Sequence, residues 1–266
     1  MTGKKMIQKK LLKEENENAS SKLDKMLNRV EKSYQNKLKF DDFEIYRKWF
    51  EVEKYCFQNE LAMGDIKRLI QFGTRFRELK GTDRNRIEES FFKILNDLVI
   101  PFHNKIPVNK PPFPINRDEI DTIAKKKIKE KLEIFLELEK FAFDSYTYKR
   151  DRDSFGGKRR AFSLEIIKNF SNYFQCPEGL ELAKKSLKSK GRDELCSAFE
   201  FLKEYYLTRE IDMEDEVHEQ LIKISEKTKS RSMAVGALSV LVDTDQISEF
   251  EALNKIDDWK QKNYYS

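Results

Sequence analysis

The chain has 266 residues, which is enough for one large domain or two small ones. Charged residues make up 37% of it, and only 9 Gly and 6 Pro are present. So few turn-forming residues exclude a β-sandwich or a doubly wound α/β protein. Many charges beside 20 Phe and 10 Tyr favour helices with one buried stripe and a wide solvated face. The composition therefore predicts an all-α protein, and a net charge of +5 does not by itself indicate a nucleic-acid partner.

Residues 1–20 are basic, polar and rich in Asn and Ser, which predicts a disordered arm that orders when a partner binds. The arm has no apolar core of the kind found in a secretory signal. No stretch of the chain approaches 18 uncharged apolar residues. We therefore expect a cytoplasmic protein without a membrane partner.

Residues 21–100 form the predicted N-terminal helical lobe. Apolar residues from Leu23 to Tyr34 indicate a short first helix. The apolar spacings from Met63 to Leu79 and from Ile87 to Leu98 predict two more helices, separated by a turn at Gly81. Between the first helix and these two, a helix over 41–60 is expected to bring five aromatic residues near one face: Phe43, Tyr46, Trp49, Phe50 and Phe57.

A proline-rich connector is predicted at 101–116, because this stretch holds five of the six prolines. Proline donates no backbone hydrogen bond and disfavours helix in the residue before it. The connector divides the chain into two lobes. An exposed peptide ligand for another protein is the alternative function of this stretch.

The second lobe, 117–266, is predicted to begin with the longest helix of the chain, from Asp118 to about Tyr148. A charged loop follows. Pro, Gly, Asp and Ser then separate six further helices, at about 159–175, 178–189, 193–207, 214–227, 230–242 and 247–261.

A weak internal repeat with an offset of 39 residues lies in this lobe. It pairs small or bulky residues with residues of similar kind: Ala198 with Ala237, Phe199 with Leu238, Leu202 with Leu241, Leu182 with Leu221, and Ser186 with Ser225. Small residues at fixed positions let neighbouring helices approach closely, and helix pairs of about 40 residues stack into solenoids. Over roughly 160–260 the chain therefore resembles HEAT or armadillo-type α-solenoids, which implies an extended concave binding surface. An irregular helical bundle is the alternative.

A basic loop at 149–160 is the first candidate binding site. Glycines 156 and 157 let the backbone approach a partner, and arginine binds phosphate in a bidentate way. The loop therefore predicts salt-sensitive contacts with nucleic acid. The alternative is a solvated loop in which Asp151 and Asp153 neutralise their neighbours. The candidate residues are Lys149, Arg150, Arg152, Lys158, Arg159 and Arg160.

A second basic cluster surrounds the turn between two helices of the first lobe. If it faced the same side as the basic loop, the two would line a channel for nucleic acid. Its members are Arg75, Arg77, Lys80, Arg84 and Arg86.

No catalytic motif is present. His103 and His218 lack a second histidine at metal-ligand spacing, and HExxH, CxxC, the P-loop and GxGxxG are all absent. The cysteines Cys56, Cys176 and Cys196 lie far apart in apolar helical patterns, which predicts buried free thiols. We therefore expect no metal or cofactor.

Three functions follow from these patterns. The first is a non-enzymatic scaffold or adaptor subunit that binds a protein partner. The second is a nucleic-acid-binding subunit of a processing or defence complex. The third comes from a resemblance to HEAT-like alkylpurine DNA glycosylases, which are also basic, all-helical and metal-free. No position matches their catalytic Asp, and Trp49 and Trp259 are predicted to be core residues.

Overall fold

A computed structural model describes residues 22–36, 42–59, 61–76, 84–103, 126–148, 155–171 and 177–264. Within these ranges the chain forms eleven α-helices and no β-strand, which confirms the all-α prediction. The predicted N-terminal arm, most of the proline-rich connector and the first part of the basic loop lie outside the described residues.

Within the described ranges, five helices precede the basic loop. They are α1 (22–35), α2 (Asp42–Gln58), α3 (Met63–Phe76), α4 (Arg84–His103) and α5 (Lys126–Thr147). Helix α4 runs past Pro101, where the connector was expected to begin. Proline has a φ that suits a helix, but its ring removes one hydrogen bond and crowds the preceding turn, and α4 ends two residues after Pro101.

Six helices follow the loop, and each begins within three residues of its predicted start. They are α6 (Gly156–Ser171), α7 (Pro177–Ser186), α8 (Arg192–Arg209), α9 (Asp215–Lys227), α10 (Arg231–Asp243) and α11 (Glu249–Tyr264).

The first of two compact units contains α1 to α4 as far as Leu98, together with residues 130–141 of α5. Its core is a cluster of aromatic rings. Phe141 of α5 reaches this cluster, with its ring centroid 5.6 Å from that of Phe91 and 5.9 Å from that of Phe92. The unit therefore includes part of a helix that was assigned to the second lobe.

The second unit contains the end of α4 from Val99, residues 126–129 and 142–147 of α5, and the six helices that follow. Helix α6 packs against α8, and α8 packs against α10. Of the intervening helices, α7 packs against its chain neighbours α6 and α8, whereas α9 packs against α10 and α11. Contacts between alternate helices are typical of stacked helix pairs, so the unit is compatible with a helical repeat.

The predicted 39-residue offset relates equivalent helices within this unit. Helix α8 begins at Arg192 and α10 at Arg231, which are 39 residues apart. Four of the five predicted residue pairs are buried in both copies, and in the fifth Leu182 is half-buried while Leu221 is fully buried. The offset therefore describes which side chains enter the core.

Both tryptophans are core residues, as predicted. Trp49 is buried in the first unit, and its Nε1 donates to Ser90 Oγ at 2.8 Å. Trp259 is buried in the second unit, and its Nε1 donates to the backbone oxygen of Thr228 at 2.6 Å. A buried indole N–H needs such an acceptor, so both side chains are held in place by packing and by a hydrogen bond.

Candidate functional site

One face of α2 enters the core of the first unit. Ile45, Trp49, Val52 and Cys56 recur at spacings of four, three and four residues, and all four are buried. The Trp49 ring stacks on Phe72 of α3 with centroids 5.5 Å apart. This packing fixes the rotation of α2 about its own axis.

Another face of α2 exposes three phenylalanines. Phe43 is 77% exposed, Phe50 54% and Phe57 52%. We predicted that these residues would share a face with Trp49, and that prediction is wrong. Helix α2 has two apolar stripes about 130° apart at 3.6 residues per turn, and the stripe that contains Trp49 is the one that α3 and α4 cover.

Two cations lie between the exposed phenylalanines. Arg47 and Lys54 are exposed, and they alternate with the rings at spacings of four, three, four and three residues. Such spacings bring side chains to one line along a helix. We refer to Phe43, Arg47, Phe50, Lys54 and Phe57 as the outer face of α2.

The cations of the outer face are not engaged elsewhere in the described parts of the chain, where neither forms an ion pair or a hydrogen bond. Lys48 of the same helix differs, because its Nζ lies 3.0 Å from Glu44 and donates to Ser33 Oγ at 2.9 Å. The outer face is thus an apolar line with two uncommitted positive charges.

The structure separates the members of the predicted basic loop. Lys149, Arg150 and Arg152 lie outside the described residues, and Lys158 is exposed. Arg159 is fully buried, with its guanidinium carbon 5.4 Å from the centroid of Tyr148 and 5.8 Å from that of Phe155. Arg159 therefore serves the core in this conformation and does not face a ligand.

Arg160 also has a structural partner, because it donates to both carboxylate oxygens of Glu194, at 2.8 and 2.7 Å. Glu194 further accepts from Ser186 Oγ at 3.1 Å and from Ser189 Oγ at 2.8 Å. The hydroxyl of Tyr146 lies 2.6 Å from Ser186 Oγ. This Glu194 cluster therefore joins α5, α6, α7 and α8.

The Glu194 cluster is unsuited to catalysis. Burial by itself would raise the pKa of Glu194, but the hydrogen bonds from Arg160, Ser189 and Ser186 and the charge of Arg160 outweigh burial and lower it. A carboxylate with a lowered pKa is a poor general base. Ser186 is itself buried, so the cluster lacks both an activated nucleophile and access for substrate.

The second predicted basic cluster is only partly described. Arg75 pairs with Glu31 of α1 at 3.2 Å, although its side chain is 56% exposed. Arg86 is exposed in the first turn of α4, and the side chain of Arg84 is not among those described. Arg77 and Lys80 lie outside the described residues. The hypotheses of nucleic-acid binding and of glycosylase activity therefore stay predictions.

The two thiols in the described part of the chain are not poised for nucleophilic chemistry. Burial and the nearby carboxylates of Asp65 and Glu53 raise the pKa of Cys56 to about 12. Cys196 is half-buried, which corrects the expectation of full burial, and its pKa is raised chiefly by desolvation. Cys176 lies outside the described residues. Among the side chains that the structure describes, no three metal-binding groups come together.

The described part of the chain is thus an all-helical protein with one exposed aromatic and basic helix face. No family model matches the chain, and neither a curated protein nor a solved structure was found to be similar to it. None of the described helices is both long and apolar enough to cross a lipid bilayer. Function therefore has to be argued from the surface itself.

Sequence reasoning missed the outer face of α2, although a signal was present. Phe43, Phe50 and Phe57 are each seven residues apart, which on a helix of 3.6 residues per turn defines a line of their own. The buried stripe of α2 has a separate four-three spacing. Treating the two stripes as one face concealed the exposed aromatic line.

Proposed function

We propose that this protein is a non-enzymatic scaffold or adaptor subunit, and that it binds a protein partner through the outer face of α2. The observation that carries the proposal is the line of three phenylalanines, each more than half exposed. Fully burying an exposed phenylalanine side chain is favourable by roughly 1.5–3 kcal/mol before the costs of association are subtracted. Aromatic residues and arginine are also enriched in the cores of protein interfaces.

The second unit supports a scaffold in a different way. We propose a HEAT-like stack for α6 to α11, supported by the contacts between alternate helices and by the 39-residue offset between α8 and α10. Stacks of helix pairs offer broad surfaces for partners. The Glu194 cluster and the buried Arg159 contribute to holding such helices together.

The proposal is tested by retention of proteins from the native host. The variant replaces all three phenylalanines of the outer face (Phe43→Ser, Phe50→Ser and Phe57→Ser). We expect it to keep the helical circular dichroism of the unmodified protein, because these rings are outside the core, and to lose the retained partner.

The matched control removes exposed apolar side chains from another helix. Phe250 and Leu253 of α11 are 74% and 64% exposed, so Phe250→Ser with Leu253→Ser changes apolar surface to a similar degree. We expect this control to retain the partner. Retention of the same proteins by the triple variant and the unmodified chain would contradict the proposal.

A further inference from the structure

We propose that the partner seated on the outer face of α2 is an amphipathic helix with acidic side chains beside its apolar ones. This inference rests on the proposed function and adds the chemistry of the partner. Its first support is geometric. The four-three spacing of Phe43, Arg47, Phe50, Lys54 and Phe57 is the spacing of a helix–helix seam.

The length of the outer face also suits a helix. From Phe43 to Phe57 it spans about 21 Å at 1.5 Å per residue. A partner helix of about four turns covers this distance. Apolar residues at heptad positions of the partner would meet the three rings in succession, since helices that pack at a shallow angle present matching ridges and grooves.

Charge identifies the remaining side chains of the partner. Arg47 and Lys54 stand between the rings, and neither is paired within the described residues. Glu51 is exposed on one flank of the line, four residues after Arg47 and three before Lys54, while Glu44 and Glu53 of the same helix are partly buried. A partner with Asp or Glu beside its apolar positions would satisfy both cations, and one with Lys would be repelled.

A second copy of this chain fits less well. Two α2 helices packed on each other by their outer faces would place positive charges close to positive charges. On α11 the exposed Phe250 and Leu253 precede Asp257, but Asp257 already pairs with Lys260 at 2.7 Å. Residues 1–21 of the same chain carry five lysines and three glutamates, so their net charge has the same sign as that of the outer face.

Single-stranded nucleic acid fits the charges but not the spacing of the rings. Successive phenylalanines of the outer face are about 10.5 Å apart along the helix axis. Proteins that bind single strands use aromatic side chains as platforms for successive bases, which are much closer together. The observations therefore favour a protein helix.

The test uses the full chain and a yeast-displayed library of amphipathic helices of about 18 residues. Leu, Ile or Phe occupies the heptad positions of each helix, and Glu, Gln or Lys occupies the flanking positions. Binders of the unmodified protein are expected to be enriched in Glu. The Arg47→Glu, Lys54→Glu variant is expected to enrich Lys instead, and the Phe43→Ser, Phe50→Ser, Phe57→Ser variant is expected to enrich nothing.

A control variant reverses two positive charges on other helices, so that its net charge equals that of the Arg47→Glu, Lys54→Glu variant. Lys140 of α5 and Lys185 of α7 are exposed, so Lys140→Glu with Lys185→Glu matches the change in charge. We expect this control to enrich Glu as the unmodified chain does. For an enriched Glu-rich helix, we expect affinity for the Arg47→Glu, Lys54→Glu variant to fall about tenfold or more.

Several results would overturn the inference. These are an absence of charge preference, the same preference in the reversed variant, full competition by an oligothymidine strand, or self-association that depends on the three phenylalanines. The proposed function is separable from this result. If the phenylalanine variant no longer retains the host proteins but the library shows no preference for acidic residues, the proposed scaffold function is supported and the proposed acidic partner helix is refuted.

Discussion

The two units of this chain hold their helices together with different side chains. In the first unit, Phe91 contacts the rings of Trp49, Phe72, Phe92 and Phe141, with centroid distances between 5.6 and 6.3 Å. In the second unit, Ala198 of α8 and Ala237 of α10 are fully buried, and the stacked rings of Phe201 and Tyr205 are buried as well. The first unit thus centres on one cluster of rings, whereas the core of the second combines rings with small residues.

Both units also bury charged groups, and in the first unit these are Asp65, Glu88 and Glu139. The second unit buries Glu194 with a bidentate partner and two hydroxyl donors. The ring cluster of the first unit uses a neutral bond, from Trp49 to Ser90. An apolar stripe in this chain therefore does not by itself show whether it is buried in the core or exposed on the surface. Phenylalanine fills the core on α4, whereas on α2 it lies on the exposed face.

The largest expected effect is loss of the central ring of the first unit. Phe91→Ala should lower the free energy of unfolding by about 3–5 kcal/mol, because it leaves a cavity among four rings. Phe199→Ala is the matched change in the second unit, where Phe199 is buried without an aromatic ring contact in the described residues. We expect a smaller loss there, because an aromatic pair adds about 0.5–1.5 kcal/mol beyond the area that it buries.

Tryptophan fluorescence during urea unfolding measures this difference. Each unit contains one tryptophan, Trp49 in the first and Trp259 in the second, so single-tryptophan variants report the units separately. Equal losses for Phe91→Ala and Phe199→Ala would contradict the distinction between the two cores.

The next effect lies in the Glu194 cluster of the second unit. Arg160→Met should lower the free energy of unfolding by about 2–3 kcal/mol, because it removes two charged hydrogen bonds and leaves a buried carboxylate without its cation. Lys168→Met on the same helix is the control. Lys168 pairs with Glu204 at 3.2 Å where both are partly exposed, and its loss should cost less than about 1 kcal/mol.

Urea denaturation of both variants, followed through Trp259, gives the comparison. If Lys168→Met lowered the free energy of unfolding as much as Arg160→Met, then burial of Glu194 would not explain the contribution of the Arg160–Glu194 pair to stability.

A smaller difference in stability is expected between alanine substitutions of two glycines, Gly73 and Gly236, that lie against phenylalanine rings. A Cβ on Gly73 would lie 2.2 Å from Phe91 Cζ, whereas a Cβ on Gly236 would lie 3.0 Å from Phe199 Cδ2. Gly73→Ala should therefore destabilise by about 1–3 kcal/mol despite its better helix propensity. Gly236→Ala should be close to neutral, since a gain of about 1 kcal/mol in propensity offsets a slight overlap. Thermal unfolding of the two variants would show equal melting temperatures if the aromatic core were loosely packed.

The smallest effect is a change with pH. Hydrogen bonds hold the pKa of Glu194 below its ordinary value of 4.5, so the folded state binds this proton more weakly than the unfolded state. Its stabilisation is therefore complete above pH 4.5 and is lost as the pH falls through the lowered pKa. Glu194→Gln should be less stable than the unmodified protein at neutral pH, and the gap should narrow under acid conditions. Urea titrations measure this difference in the free energy of unfolding between neutral pH and acid pH. A difference that stayed constant would refute the lowered pKa of Glu194.

The sequence predicted the helices well because helix formation depends on local patterns. The starts of α8 and α10, the burial of both tryptophans and the residue pairs related by 39 positions all follow from apolar spacing and turn residues. These features require no knowledge of distant partners.

The exposed surfaces were harder to predict, because the exposure of a side chain depends on which other segment packs against it. Arg159 was assigned to a phosphate site, yet Tyr148 and Phe155 enclose it. Phe50 was expected to share a face with Trp49, yet α3 and α4 cover only the stripe that contains Trp49. In both cases a neighbouring segment decides between burial and exposure, and spacing within one helix contains no information about that neighbour.

The most direct test of the account is photo-crosslinking from the outer face of α2 in the native host. A benzoylphenylalanine in place of Phe50 is compared with one in place of Phe250, which is 74% exposed on another helix. The account predicts a covalent adduct with a protein at position 50 and a much lower yield at position 250. Equal yields at the two positions, or an adduct with nucleic acid at position 50, would contradict it.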